Sequence, residues 1–375
     1  MIILAPDSFK GTMTSPEAAR GMAEGIRRVR PDVQIHASPM ADGGEGTLDI
    51  LLDITGGERC YETVAATDFQ PRKISYGIIS SQDGSRTAII ETARIVGLHG
   101  SRHVPVELRS SFGVGELVRV CLDQGIRHFF ITLGGSGTND GGAGVLAALG
   151  VKLLDKQGRQ VTPVPAGLPD LRGVDFSGLD PRLNDSRIEL LCDVTNPLCG
   201  PRGATAVYGP QKGVTPDRIA YFDLCLKRLA SLCDRQMGDE VSRREGAGAA
   251  GGIAYAFQLL GAKHRSGAEI MCTLSGLDDL LKKATFLITG EGRSDAQTLH
   301  GKTPFVLAQH ARRHGVPAAL LSGIIEQSSR TELAKWFDVL IETKPATMSY
   351  AESKSRAYQL LVNAASRFAR EYLGK

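Results

Sequence analysis

The chain of 375 residues is 42% hydrophobic and 23% charged, with a formal net charge of +3. Single cores tend to split beyond roughly 250 to 300 residues, so two domains are expected, and so small a charge spread along the chain excludes a dedicated nucleic-acid or membrane surface. The 44 glycines exceed the usual share of about 7% and gather in a few loops, which excludes a collagen-like or linker-like chain.

In chain order, "IILAP" reads as a buried strand, and "SPEAARGMAEGIRRV" as a helix with Ser15 at the N-cap and Pro16 at the first helical position. A strand at "VQIHASPM" and a helix at "GTLDILLDIT" follow. "CYETVAAT", "RKISYGIIS" and "RTAIIETA" then succeed one another with turn signals between them, the pattern of an antiparallel meander. Next come a helix "GELVRVCLDQG", a strand "HFFITLGG", a small-residue helix "AGVLAALG", a strand "IELLCDV" and a long helix from about Pro216 to Met237. The last third alternates again: "TFLITG", a helix through "TPFVLAQHARRHG", "PAALLSG", a helix "SRTELAKW", "DVLIET" and a final helix from Tyr350 to about Tyr372. Apolar strands alternating with amphipathic helices imply a parallel sheet covered on both faces. The two ends of the chain therefore read as halves of one doubly wound domain, residues 1–61 with 284–375, around a mixed α/β segment, residues 62–283.

"MIILAPDSF" lacks the basic and long apolar regions of a secretory signal, and no apolar run approaches the roughly 20 residues of a bilayer span. The seven scattered cysteines form no C-x-x-C pair and read as reduced cytoplasmic thiols. The histidines show no H-E-x-x-H or other zinc spacing. Three nucleotide or nucleophile signatures fail on inspection. "HGKT" ends like a phosphate loop, but Ala296 stands where its first glycine belongs. "GAGAAG", Gly246 to Gly251, spells G-x-G-x-x-G but follows the charged "EVSRRE" in place of a buried strand, and reads as a tight helix start with close backbone packing. In "GGSGT", Thr138 occupies the position where a nucleophile elbow needs its second glycine.

Five polar clusters remain, each just after an apolar run: "APDSFKGTMTS" with Asp7, Ser8 and Lys10; "PMADGGEGT" with Asp42 and Glu45; "LGGSGTNDGG"; "CDVTNPLCG" with Asp193 and Asn196; and "ITGEGRSD" with Glu291, Arg293 and Asp295. Turn residues alone could account for any one of them, but ligands of open parallel sheets collect at the carboxyl ends of strands. The residue types suggest phosphoryl transfer. Glycine-rich amides bind phosphate oxygens, lysines such as Lys10, Lys212 and Lys302 neutralise charge, and carboxylates hold magnesium or take a hydroxyl proton. Lys212 is placed in a loop before the long helix. A metal-dependent phosphatase would need a nucleophilic aspartate or a two-metal cluster, and no D-x-D pattern is present; a nucleotide-sensing module would not use so many convergent carboxylates.

Together, "LAPDSFKGTMTSPEAA", "PMADGGEGT", "GGSGTNDGGAG", "CDVTNPLCGPRGA", "YGPQKG", "GAGAAGG" and "TGEGRSDAQTLHGKTP" resemble the bacterial glycerate kinases of the glycerate 2-kinase type, in order and over essentially the whole chain. The resemblance implies ATP-dependent phosphorylation of D-glycerate to 2-phosphoglycerate, with 3-phosphoglycerate as the alternative product. It also implies a flavodoxin-like α/β domain into which a large mixed α/β domain is inserted, a cleft that closes over the substrates, and a cytoplasmic place in glycerate, glucarate or glyoxylate catabolism. On this reading Lys10, Asp42, Asp193 and Asp295 carry catalysis. Gly134, Gly135, Ser136, Asn139, Asp140, Glu291, Arg293 and Lys302 meet ATP, and Asp42 and Asp193 hold Mg2+; the sequence leaves the assembly open, a homodimer being one option. Two departures stand out: Arg94 where a small residue is expected, and a glycine-poor stretch from Leu321 to Ser329.

Overall fold

The computed structural model describes residues 1–81 and 83–374. It divides into two compact units, Met1–Asp42 with Ser266–Lys375, and Gly43–Arg265. The first carries five parallel strands, Ile2–Leu4, Ile35–Ala37, Phe286–Thr289, Ala318–Ser322 and Val339–Glu342. Numbered along this unit alone, they lie side by side in the order 2-1-3-4-5. That is the flavodoxin-like order, whose switch point falls between the first and third strands. Leu4 and Ile288 sit in the core under the helices Ser15–Arg27 and Ala357–Tyr372, represented there by Met22, Ile26, Leu361 and Phe368.

Helix Ser15–Arg27 starts one residue earlier than its sequence suggests. Thr14 Oγ1 accepts from the Glu17 amide at 3.3 Å, while Glu17 Oε2 accepts from the Thr14 amide at 2.8 Å. This reciprocal capping box satisfies two amides at once, which Ser15 could not do, and it makes Thr14 the N-cap. The expected single C-terminal helix is two, Tyr350–Ser355 and Ala357–Tyr372, separated by Arg356 at φ −113° and ψ 11°.

The second unit is built on six strands. Lys263–Arg265, Arg187–Leu191, His128–Thr132 and Arg86–Glu91 run parallel, and Pro71–Ser80 and Glu58–Ala65 complete the sheet antiparallel, the meander its turn signals announce. The unit begins at Gly43, upstream of the boundary expected near residue 61, because Glu58–Ala65 pairs along its whole length with Pro71–Ser80 and helix Thr47–Thr55 packs on Pro71–Ser80 and Arg86–Glu91. It ends before helix Gly267–Leu274, which packs on Thr303–Arg313 of the first unit. The three-residue strands Lys152–Leu154, Gly173–Asp175 and Lys263–Arg265 are too short to show a period in sequence.

The close approach of Ser15–Arg27 to Ala357–Tyr372 requires Gly25, where a β carbon would lie 2.2 Å from the Val362 carbonyl oxygen. Main chain cannot yield as a side-chain tip can. Gly25→Ala is therefore expected to cost at least about 2 kcal/mol by overpacking, despite alanine's better helix propensity. Urea denaturation monitored by circular dichroism checks this; an unchanged or raised midpoint would show that the helices separate freely.

Candidate active site

In the first unit the chemistry gathers at the switch point. Asp7 follows the first strand by three residues, Glu291 follows the third by two, and both are buried. Asp7 Oδ1 accepts from the Ser8 amide at 2.6 Å. Burial above all, then the Asp42 carboxylate, pushes its pKa up to about 8, against the lowering effects of the Ser8 amide and Lys10. Lys10 Nζ lies 2.6 Å from Asp42 Oδ2, and the lysine side chain is 76% exposed, so its ammonium faces solvent while held at the carboxylate cluster. Burial also raises the Glu291 carboxyl, although its Oε1 accepts from Ser294 Oγ at 2.9 Å and Thr298 Oγ1 at 2.7 Å and Lys302 offsets it further.

Asp295 caps the short turn Ala296–Leu299, accepting from the Gln297 amide at 2.8 Å, with Lys302 Nζ 3.8 Å away. Lys302 is the N-cap of Thr303–Arg313. Arg293, expected at the nucleotide, has its guanidinium paired to Glu326. The segment from Leu321 to Ser329 supports this loop: Ser322 Oγ lies 2.9 Å from Ser294 Oγ, and Ile324–Ile325 pairs with Arg293–Ser294. Thus Lys10, Asp42, Glu291, Asp295 and Lys302 belong to one end of one sheet. Asp7 belongs with them: its place three residues past a buried strand puts it in the first sequence cluster, but the sequence alone assigns it no role.

In the second unit, three glycine-rich stretches meet. A β carbon on Gly134 would lie 2.5 Å from Gly44 Cα, one on Gly252 2.4 Å from Gly141 Cα, and one on Gly251 2.0 Å from the Thr138 carbonyl oxygen. "GAGAAG" is thus a packing surface, as its sequence context suggests. Of the stretch from Gly134 to Asp140, only Gly134 and Gly135 reach the surface appreciably; Ser136 is 5% exposed. Asn139 and Asp140, read as ligand contacts, are interior. Asp140 accepts from the Ser111 amide and hydroxyl, both at 2.7 Å, and from the amides of Gly142 (3.0 Å) and Gly144 (3.2 Å). Asn139 Nδ2 donates to Thr205 Oγ1 at 2.9 Å. Their side chains shape the loop from within, because backbone donors occupy the carboxylate that a ligand would need.

Asp193 is half-buried in the loop after Arg187–Leu191. Lys212 is not in a loop: it is the last residue of helix Ala204–Lys212 and is 3% exposed. Arg94 is bound by Asp49 Oδ2 at 2.7 Å and Ser75 Oγ at 3.0 Å, which pairs its charge.

Comparison with known proteins shows the family of the chain. Residues 2–373 match the model of the glycerate kinase family. The chain belongs to that family. It is 39% identical over 374 residues to the glycerate kinase of Halalkalibacterium halodurans, covering 98% of this chain and 97% of the relative. It is also 40% identical over 328 residues to the glycerate 2-kinase of Escherichia coli, covering 86% and 84%. A solved structure carrying the name glycerate kinase 2, from Salmonella typhimurium LT2, superposes with a TM-score of 0.79 at 38% identity over 98% of this chain and 97% of that one. The chain is accordingly a kinase, a transferase whose family implies ATP as phosphate donor. Among the described residues no helix is long and apolar enough to cross a membrane, and no group of three or more His, Cys, Asp or Glu is arranged around a metal position.

The Asp7 carboxyl makes stability depend on pH with a definite sign. Its ordinary value is 3.8 and its folded value about 8, so between these limits the folded chain keeps a proton that the unfolded chain releases, and stability falls as pH rises. Asp7→Asn removes that loss. In EDTA, its melting temperature relative to the parent is expected to climb steadily from pH 5 to pH 8; a difference that stays flat over this range would contradict the burial argument.

Proposed function

We propose that the chain transfers the γ-phosphoryl group of ATP to the 2-hydroxyl of D-glycerate, giving 2-phosphoglycerate. The observation that carries this reading is the exposed Lys10 ammonium held 2.6 Å from Asp42 at the switch point beside buried Asp7. The family match and the name of the Escherichia coli relative support it.

Glycerate is a small hydroxy acid, and a solvent-facing ammonium suits its carboxylate. In the same cluster the ionised form of Asp7, whose share grows as pH rises toward about 8, takes the proton of the attacking hydroxyl, and Asp42 keeps Lys10 in place. The exposed Gly135 offers its main chain to a phosphate, beside the Glu45 side chain, while the Gly134 amide is held by the Gly43 carbonyl at 3.2 Å. Magnesium binds through one or two carboxylates together with substrate phosphates. Asp42, at the switch point of the first unit, is a donor of the hard type it prefers. When bound, the ion neutralises charge developing on the transferring phosphoryl group. Lys302 and Asp295 are assigned to the nucleotide side of the reaction. We place the enzyme in the cytoplasm, in glycerate, glucarate or glyoxylate catabolism.

ADP release coupled to a dehydrogenase, with D-glycerate, L-glycerate and other short hydroxy acids as acceptors, tests the class; phosphorus NMR of the product tests the position. ADP formed only with D-glycerate and a secondary phosphate are expected. A primary phosphate would favour the 3-kinase alternative, and no ADP release with glycerate would remove the assignment. Lys10→Ala should lower kcat/KM at least about 100-fold, or about 2.7 kcal/mol of transition-state stabilisation. Its melting temperature should barely move, because an exposed ion pair contributes only about 0 to 1 kcal/mol.

A further inference from the structure

Lys212 is a buried cation at the base of the glycine-rich stretch. Its ammonium donates to the Thr138 carbonyl at 2.7 Å and lies 3.4 Å from Ser136 Oγ. Burial above all pushes the lysine down to about 7; Asp140 opposes this by favouring the charge, and Arg109 adds to it. No carboxylate lies within ion-pair distance of it among the described residues. Keeping an ammonium in such surroundings costs folding free energy, and an unbranched apolar side chain of similar volume would fill the space without that cost. Packing alone therefore does not account for a lysine here.

The contacts around it show what the charge holds. Arg109 Nη1 donates to the Gly137 carbonyl at 3.0 Å and to the Lys212 carbonyl at 2.8 Å, so two cations grip consecutive carbonyls of the loop from inside. On the other side, the Leu98 amide donates to the Gly135 carbonyl at 2.8 Å and the Gly137 amide to the Val96 carbonyl at 2.7 Å. At the opposite end of the lysine's helix, Thr205 accepts from Asn139. The exposed tip, Gly134 and Gly135, is thus tied on one face by main chain and on the other by the Lys212 ammonium through Ser136 and Thr138.

We propose that Lys212 is a positioning residue for phosphoryl transfer, its ammonium fixing the Gly134–Ser136 tip in the conformation that receives a phosphate of the nucleotide. This rests on the kinase reading above. Lysine supplies a point charge with three donors, enough to hold a carbonyl and a hydroxyl together, and methionine or glutamine cannot reproduce that combination. The nucleotide side of the reaction should suffer and the glycerate side should not.

The test compares the full chain with Lys212→Met and Lys212→Gln in three measurements: melting temperature, steady-state kinetics with Mg·ATP and D-glycerate, and Mg·ATP binding by calorimetry. Lys212→Met is expected to melt at or above the parent, while kcat/KM for ATP falls at least about 30-fold and KM for D-glycerate stays within about threefold. Lys212→Gln, which keeps a neutral donor, should show the same kinetic loss. Variants that bind and turn over ATP within about threefold of the parent would overturn the proposal. So would variants that melt many degrees lower, or fail to fold, because the lysine would then be a support of the fold alone. If the parent binds Mg·ATP but releases no ADP with glycerate, the kinase reading fails by itself, and loss of Mg·ATP affinity in the variants still decides the role of Lys212. A parent that binds no nucleotide overturns both.

Discussion

Main chain lying on main chain, with no space for a β carbon, is the contact on which the loops of the second unit depend. Gly134 lies on Gly44, and Gly252 lies on Gly141. Each such contact gives up the side-chain burial that ordinarily offsets the entropy of ordering a residue. The loss is made good by polar anchoring. Asp140 collects three amides and a hydroxyl, and Glu91 accepts from the amides of Gly46 and Leu48, fixing the start of helix Thr47–Thr55. Buried carboxylates thus do for these loops what a hydrophobic core does for the sheet beneath them.

The carboxylates of the two units are solvated by the protein in different ways. Four donors meet Asp140, and its place is structural. Asp7 has the Ser8 amide, and around it lie two further acidic groups, Asp42 and Glu291, with Lys10 as the counter-charge. Burial raises both carboxyls, against four donors at Asp140 and with like charge adding to it at Asp7, and it is the second arrangement that marks places where a proton must move. The same contrast separates the lysines. Lys10 faces solvent at the carboxylate cluster, suited to meet an anion directly, whereas Lys212 is enclosed and acts on its own chain.

The longer strands and helices at the two ends of the chain, the meander and the position of each polar cluster past a strand end are local properties. Apolar runs, turn residues and helix periodicity express them within a few residues, so they are legible in the sequence, as are the motifs that mark the family. Even Thr14 in place of Ser15 at the first cap is a shift of one residue within a correctly placed helix start.

Which members of a cluster face a ligand is a different matter, and tertiary packing decided it. Asn139 and Asp140 look like ligand contacts because their types bind ligands, yet they are interior because Thr205 and Ser111, distant in sequence, converge on them. Lys212 reads as a loop residue until its helix docks under Thr138. The limits of the two units likewise depend on which sheet Glu58–Ala65 joins and which helix Gly267–Leu274 packs upon. Burial and hydrogen-bond satisfaction are properties of long-range pairs, and a residue's own neighbours along the chain do not contain them. Local sequence therefore determined the parts and their chemistry, and the three-dimensional fold determined which of those polar groups face inward to shape the loops and which remain exposed for a substrate.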